Sequence, residues 1–233
     1  MDDERRQRLW RAVTTRARSD EPGWGRLVCE VAVDLLAVDG AAISVRTSGR
    51  AQELVTATGD WAQQLEELQY TLGEGPGVEA YTTAGPVLVA ELSDAVSRWP
   101  GFAGSAADEG LAAVFALPLR EGAIRLGTLD LYRRRAGALS TGELADAAVL
   151  ADLATTALLT DTAPGTTASW LSVDSGHYDD VNVATGMVAA ELRISIADAS
   201  LRLRAHAYST GTPLLEIARA VLTRQLRADS FQD

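Results

Sequence analysis

Lysine is absent from this 233-residue chain, so all 21 of its basic residues are arginine. That absence removes several chemistries at once. A Walker-type phosphate loop needs its lysine, as do Schiff-base enzymes and kinases built on a strand lysine. One cysteine, Cys29, and two histidines, His177 and His206, cannot furnish the four Cys/His ligands of a structural zinc site, and a single cysteine excludes an internal disulfide framework. No stretch approaches the ~18 consecutive apolar residues of a membrane helix; the longest, Leu111 to Leu119, contains Pro118. The opening MDDERRQRLW is charged from its second residue and has no apolar signal core, so the chain is expected in the cytoplasm with no membrane partner. No Ser-His-Asp, H-E-x-x-H or G-x-S-x-G arrangement occurs, and neither an enzyme, a metal site nor a cofactor is expected.

What is present is an ordinary folded composition, 47% hydrophobic and 23% charged, with a net charge of −11. Charge is unevenly spread. Residues 1–165 carry 15 arginines against 24 acids, whereas residues 200–228 carry five arginines against one acid. Between these regions the Thr, Ala, Pro and Gly-rich run from Thr160 to Trp170 reads as a linker. The expected organisation is a sensor-like domain over 1–160, a linker over 161–173 and a helical domain over 174–233.

Before the linker, β-rich runs fall at Ala41 to Thr47, Gln52 to Gly59, Gly85 to Leu92, Leu111 to Arg120 and Ile124 to Arg133, the first two joined as a hairpin. Helical patterns cover roughly 3–18, 23–38, 60–69 and 140–159. In the last of these Ser140 and Glu143 form a capping pair, and Leu144, Ala148, Ala151 and Leu158 keep near one face. The fold class is therefore α+β, an antiparallel sheet flanked by helices. After the linker three short helices are expected: Tyr178 to Leu192, Ser195 to about Ser209 with Gly211 as its stop, and Pro213 to about Arg227.

The arginines Arg202, Arg204, Arg219, Arg224 and Arg227 could form a phosphate-binding face, with the rings of His206 and Tyr208 stacking on an unpaired base. The alternative is a pair of solvated helix faces, Arg224 and Arg227 complementing the third helix's dipole. Arg202 and Arg204 lie about 200° apart on one helix and cannot meet one partner together. Trp61, Trp99 and Phe102 could line a sensor pocket or pin a loop onto the sheet. The run Gly73 to Gly77 reads as a structural turn, Cys29 as a core thiol, and the acid pairs Glu66/Glu67 and Asp108/Glu109 as solvated. No histidine precedes His177, which argues against haem or bilin in the first domain.

Two resemblances add to this reading. LGEGPGVEAY (Leu72 to Tyr81), the stretch Ala113 to Arg134 and the following Ala/Leu helix resemble a GAF domain over most of residues 20–160. This implies a small-molecule or dimerising sensor module, so an unidentified small ligand and a homodimer are expected. Ala184 to Val188 and Ala197 to Leu222 resemble an ANTAR domain, the three-helix RNA-binding module of transcription antiterminators. The family pattern falls on Ala184, Gly186, Met187, Ala199, Leu203, Arg204, Ala207, Leu214, Ile217, Ala218 and Val221. It departs at Val183, where the family places glutamine, and has Thr185 at the Lys/Thr position. The resemblance implies RNA hairpin loops in nascent transcripts as partner, with contacts through Arg204, Arg202, His206, Tyr208, Arg219, Arg224 and Thr185. A tail that mediates protein contacts without RNA is the other reading these residues leave open.

Overall fold

The computed structural model describes residues 2–17, 23–46, 52–161 and 178–231. The expected linker lies outside the described residues apart from Asp161, as do the first hairpin's turn and His177. The described elements run α1 (Asp2–Thr14), α2 (Trp24–Leu35), β1 (Gly40–Arg46), β2 (Gln52–Ala57), α3 (Asp60–Leu72), α4 (Pro76–Thr83), β3 (Val87–Val89), α5 (Pro100–Asp108), β4 (Ala113–Glu121), β5 (Ile124–Arg133) and α6 (Thr141–Asp161). Then come α7 (Asp179–Leu192), α8 (Ile196–Thr210) and α9 (Leu214–Leu222), with 3-10 turns at Leu92–Ala95 and Ala228–Phe231.

The five strands form one antiparallel sheet in the order β2-β1-β5-β4-β3. Pro118 is tolerated in β4 because β3 pairs only with Val114–Ala116, which leaves that edge open beside the proline. Side chains alternate across the strands. Ile43, Val45, Phe115, Leu117, Leu129 and Leu131 enter a hydrocarbon layer beneath α1, α2 and α6. The opposite face lies beneath α3, α4 and α5. This is the expected α+β architecture of a GAF-like sheet.

Helix α6 starts with the expected capping box: Glu143 N–H donates to Ser140 Oγ at 3.2 Å and Ser140 N–H to Glu143 Oε2 at 2.7 Å. Its buried stripe is Ala147, Leu150, Ala151, Ala154 and Leu158; Ala148, expected inside, faces out. Helices α4 and α5 were not expected. Each is short and begins at a proline, Pro76 or Pro100, whose missing N–H costs nothing in the first turn. Helix α9 ends at Leu222 instead of near Arg227, and Arg224 adopts φ +58° just beyond it.

Helices α7 to α9 enclose a small core of Val181, Ala184, Val188, Leu203, Ile217 and Val221. This bundle does not stand apart from the sheet domain. Tyr70 of α3 stacks on Tyr178 with ring centroids 3.7 Å apart, and α8 packs against α3. A three-helix unit of this size has too little core to be secure alone, and the docking supplies apolar burial it lacks.

Candidate functional site

A sheet face covered by helices should be apolar, yet β5 turns Thr128, Asp130 and Tyr132 toward α3 and α4, and β1 adds Ser44. Ser44 pairs with Thr128 across the strands, their hydroxyls 3.2 Å apart, and Thr128 Oγ1 donates to Asp130 Oδ2 at 3.1 Å. From α3, Glu66 and Gln69 descend one helical turn apart. Tyr132 O–H donates to Glu66 Oε1 at 2.5 Å, and Gln69 Nε2 donates to the Tyr132 oxygen at 3.0 Å. Gln52 Nε2 reaches Glu66 Oε2 at 3.4 Å, and Arg46 donates to Gln52 Oε1. Ser44, Glu66, Gln69, Thr128, Asp130 and Tyr132 are all 1% exposed or less.

Burying charge in such a place is costly unless it is paired. Burial, and then the neighbouring Glu66 charge, push the Asp130 carboxyl well above the usual carboxylate range, against the opposing Thr128 hydrogen bond and Arg46 charge. Burial and the same two acids push the Tyr132 phenol up as well. Burial lowers Arg46, whose guanidinium lies over the Tyr81 ring at 5.4 Å.

The glycine-rich run fits around this cluster. Gly73, at φ +69°, ends α3 in the left-handed region. Gly77 packs so closely on Asp130 that a Cβ there would overlap the carboxylate, and its N–H donates to Gln69 Oε1 at 2.8 Å. Glu74, between the glycines, accepts from Gly101 N–H (2.7 Å) and Phe102 N–H (2.9 Å), satisfying the open amides that start α5. The run is thus a structural joint.

Trp99 and Phe102 do pin that joint. Both are buried, and Trp99 Nε1 donates to Glu79 Oε2 at 3.1 Å while Arg98 pairs with the same carboxylate. Trp61 is half-buried between the Arg134 guanidinium, 3.9 Å from its ring centroid, and the edge of Tyr132. Of the three expected pocket residues, it alone of this trio makes a ring contact with the polar cluster.

Glu66 is a correction: expected to be solvated with Glu67, it is fully buried. The signal was present, since Ala62, Leu65, Glu66, Gln69 and Tyr70 occupy one helical stripe and all are buried. Likewise Thr128, Asp130 and Tyr132 alternate with Leu129 and Leu131, a pattern that is read as a solvent face until helices are found above it.

A family model for the GAF domain matches residues 19–159. The chain belongs to the GAF domain family. Its fold is similar to the GAF domain of a phosphoenolpyruvate-protein phosphotransferase from Coxiella burnetii, at 16% identity and TM-score 0.55, covering 70% of this chain and 96% of that one. It is similar also to an N-acylhomoserine lactone dependent LuxR family transcription factor from Burkholderia cenocepacia, at 18% identity and TM-score 0.51, covering 69% and 96%. The GAF domain of an Acinetobacter phosphoenolpyruvate-protein phosphotransferase aligns at 13% identity and TM-score 0.53, covering 71% and 97%. A search of curated proteins returns no significant match. The GAF fold is a signal- and ligand-sensing fold of regulators and kinases, and the polar cluster sits between its sheet and α3.

The arginines of the helical bundle do not form one face. Arg204 turns inward to the GAF domain, 5.6 Å from the Tyr70 ring centroid and against Gly73, where a Cβ would meet its Nη1 at 2.6 Å. Arg202 points the other way and donates to the Phe231 carbonyl at 2.6 Å, with His206 edge-on to the Phe231 ring. Arg219 pairs with Asp180 at 3.1 Å. Thr185, expected as a contact, is interior, its hydroxyl donating to the Val181 carbonyl at 2.6 Å. Tyr208 is 60% exposed. Arg224 and Arg227 lie past the end of α9 and border a cavity of about 430 Å³ floored by Met187, Leu192 and Val221. Among the described residues no three His, Cys, Asp or Glu side chains are grouped to hold a metal, and no helix is long and apolar enough to cross a membrane.

Proposed function

We propose that this chain is a signal-responsive antitermination regulator, in which the GAF domain governs access of RNA hairpin loops to an ANTAR-like bundle, α7 to α9. The observation that carries this reading is the placement of Arg204. The family's matching arginine is held against Tyr70 and the Gly73 turn, so the docked arrangement covers a group that RNA binding would use. Helix α3 supplies that dock with Tyr70 and supplies the polar cluster with Glu66 and Gln69. A signal reaching the cluster, including a small polar ligand, would move α3 and change the docking equilibrium. It must do so by binding one arrangement more tightly than the other. The charge contrast between an acidic sensor and a basic 200–228 segment favours the masked state. The reading assigns binding and not chemistry to the chain, in a cytoplasmic setting.

Self-association is part of the proposal. Trp10 stacks on Trp24 with centroids 5.5 Å apart, Trp10 is 47% exposed, and with Val13, Val28, Leu153 and Ala157 they border an apolar cleft on the α1, α2 and α6 side. A second copy covering that side would give a homodimer whose bundles remain outward.

The test is titration of a labelled double-hairpin RNA. Tyr70→Ala, which removes the dock, should tighten binding, and adding Arg204→Ala should reverse the gain. Log affinity should fall with log salt by about 0.7 per single-strand phosphate contacted. No binding by either protein at any salt would overturn the RNA assignment. It would favour a tail that contacts proteins, a reading supported by the exposed stripe of Leu201, Ala205 and Tyr208 on α8.

A further inference from the structure

Two carboxyl groups from different elements meet inside the GAF domain with no water-facing side: Glu66 from α3 and Asp130 from β5, both 0% exposed. Each has hydrogen-bond donors, Tyr132 and the Gln69 and Gln52 amides on Glu66 and Thr128 on Asp130 Oδ2. Asp130 Oδ1, however, finds no donor among the described residues although it is fully buried. A fully buried carboxylate with one oxygen lacking a donor is disfavoured in its ionised form, the more so with a second acid nearby, and a proton on Asp130 satisfies the orphaned oxygen.

The surrounding charges do not replace that proton. From β1, Arg46 offers one guanidinium, but it is engaged with Gln52 and Tyr81, and its Nε is itself buried without a partner. From β5 and α3 come the phenols of Tyr132 and Tyr70, the latter pushed up to about 12. From α4 comes Tyr81, and Cys29 of α2 lies across the sheet with its thiol also pushed up by burial. From the docked bundle, Arg204 and Tyr178 face Tyr70, with Glu53 of β2 and Glu67 of α3 near them. One committed cation against two acids leaves an excess negative charge to be neutralised.

We propose that Asp130, buried near Glu66, is a proton-binding site that stays occupied while the bundle is docked, and that losing this proton loosens α3 and undocks the bundle. The inference rests on the reading that docking on α3 is the controlled step, and it names the proton as a signal. The direction follows from linkage. Docking seals α3 from water and so favours the protonated Asp130, whereas undocking admits water and favours its ionised form; rising pH therefore shifts the population toward the undocked state. The site is separate from the RNA surface, so the two can fail independently.

The experiment uses the full chain with spin labels introduced through Ala148→Cys on α6 and Ala190→Cys on α7, both exposed, while the buried Cys29 stays unlabelled. The distance distribution is measured from pH 5 to pH 9. A single docked distance at low pH that gives way to a broad, longer population on raising pH is expected. Asp130→Asn should stay docked throughout, as should Glu66→Gln, which guards against one variant folding poorly. In the wild-type chain, infrared spectroscopy should show the carbonyl stretch of a neutral carboxylic acid at neutral pH, absent in Asp130→Asn. A distribution that does not change with pH, or one that changes equally in both variants, overturns the proposal, as does a wild-type spectrum without that band. A flattened pH response together with no RNA binding by the undocked chain would keep the proton site and refute the RNA assignment.

Discussion

The two faces of the GAF sheet are built from the same strands and to opposite purposes. Beneath α1, α2 and α6 the inward residues of β1 and β5 are hydrocarbon along most of their length, Ile43 and Val45 beside Leu129 and Leu131, and the buried Arg133 at the end of β5 is satisfied by the Leu36 and Ala37 carbonyls. One residue along, the other face holds Ser44, Thr128, Asp130 and Tyr132 under Glu66 and Gln69. Apolar burial is non-directional and insensitive to pH, so the first face sets stability. A polar interior is stable only while each partner stays in place and in one protonation state, so the second face can respond. The bundle docks on the helix that covers the responsive face.

Truncation on the hydrocarbon face should have the largest effect. Leu131→Ala should cost about 2–5 kcal/mol of unfolding free energy in urea titration, by the same amount at pH 5 and pH 8. On the polar face Gly77→Ala forces a methyl group onto the Asp130 carboxylate and should cost about 1–3 kcal/mol, with a loss of bundle docking that Leu131→Ala does not share at pH 5. Asp130→Asn should do the reverse. Its carboxyl keeps a proton in the folded chain at pH values where an unfolded aspartate has lost it, so its contribution to wild-type stability is greatest below about pH 4 and falls as pH rises toward the raised folded value, then levels. The variant should abolish that slope and gain about 1–3 kcal/mol at pH 8. The smallest effect belongs to Ser140→Ala, which removes half of the α6 capping box and should cost about 1 kcal/mol in thermal unfolding at neutral pH, with no change in docking.

How much of this was legible beforehand follows the same division. Strands with apolar periodicity, the Ser140 and Ser195 caps and the buried Cys29 are local signals, and the structure agrees with them because nothing distant overrides them. The joint was half legible: the Gly73 to Gly77 turn is plain in the sequence, but the helices that open at Pro76 and Pro100 are not, because at 8 and 9 residues they are too short to show a clear period. The polar cluster was missed because Glu66 beside Glu67 and the Thr-Asp-Tyr alternation of β5 have the local pattern of a solvent face. Only the tertiary fact that α3 lies over β5 turns them inward. The direction of Arg204 toward Tyr70 is of the same kind, since helical spacing separates it from Arg202 but says nothing of what each will meet.

The decisive measurement is a double-mutant cycle in which Asp130→Asn, on the strand beneath α3, and Tyr70→Ala, on α3 at the bundle dock, are compared singly and together for the docked fraction at pH 8 by spin-label distances. If α3 connects the polar cluster to the bundle, the two effects should be non-additive by about 0.5–3 kcal/mol. Effects that add to within about 0.3–0.5 kcal/mol would show that the cluster and the dock do not communicate.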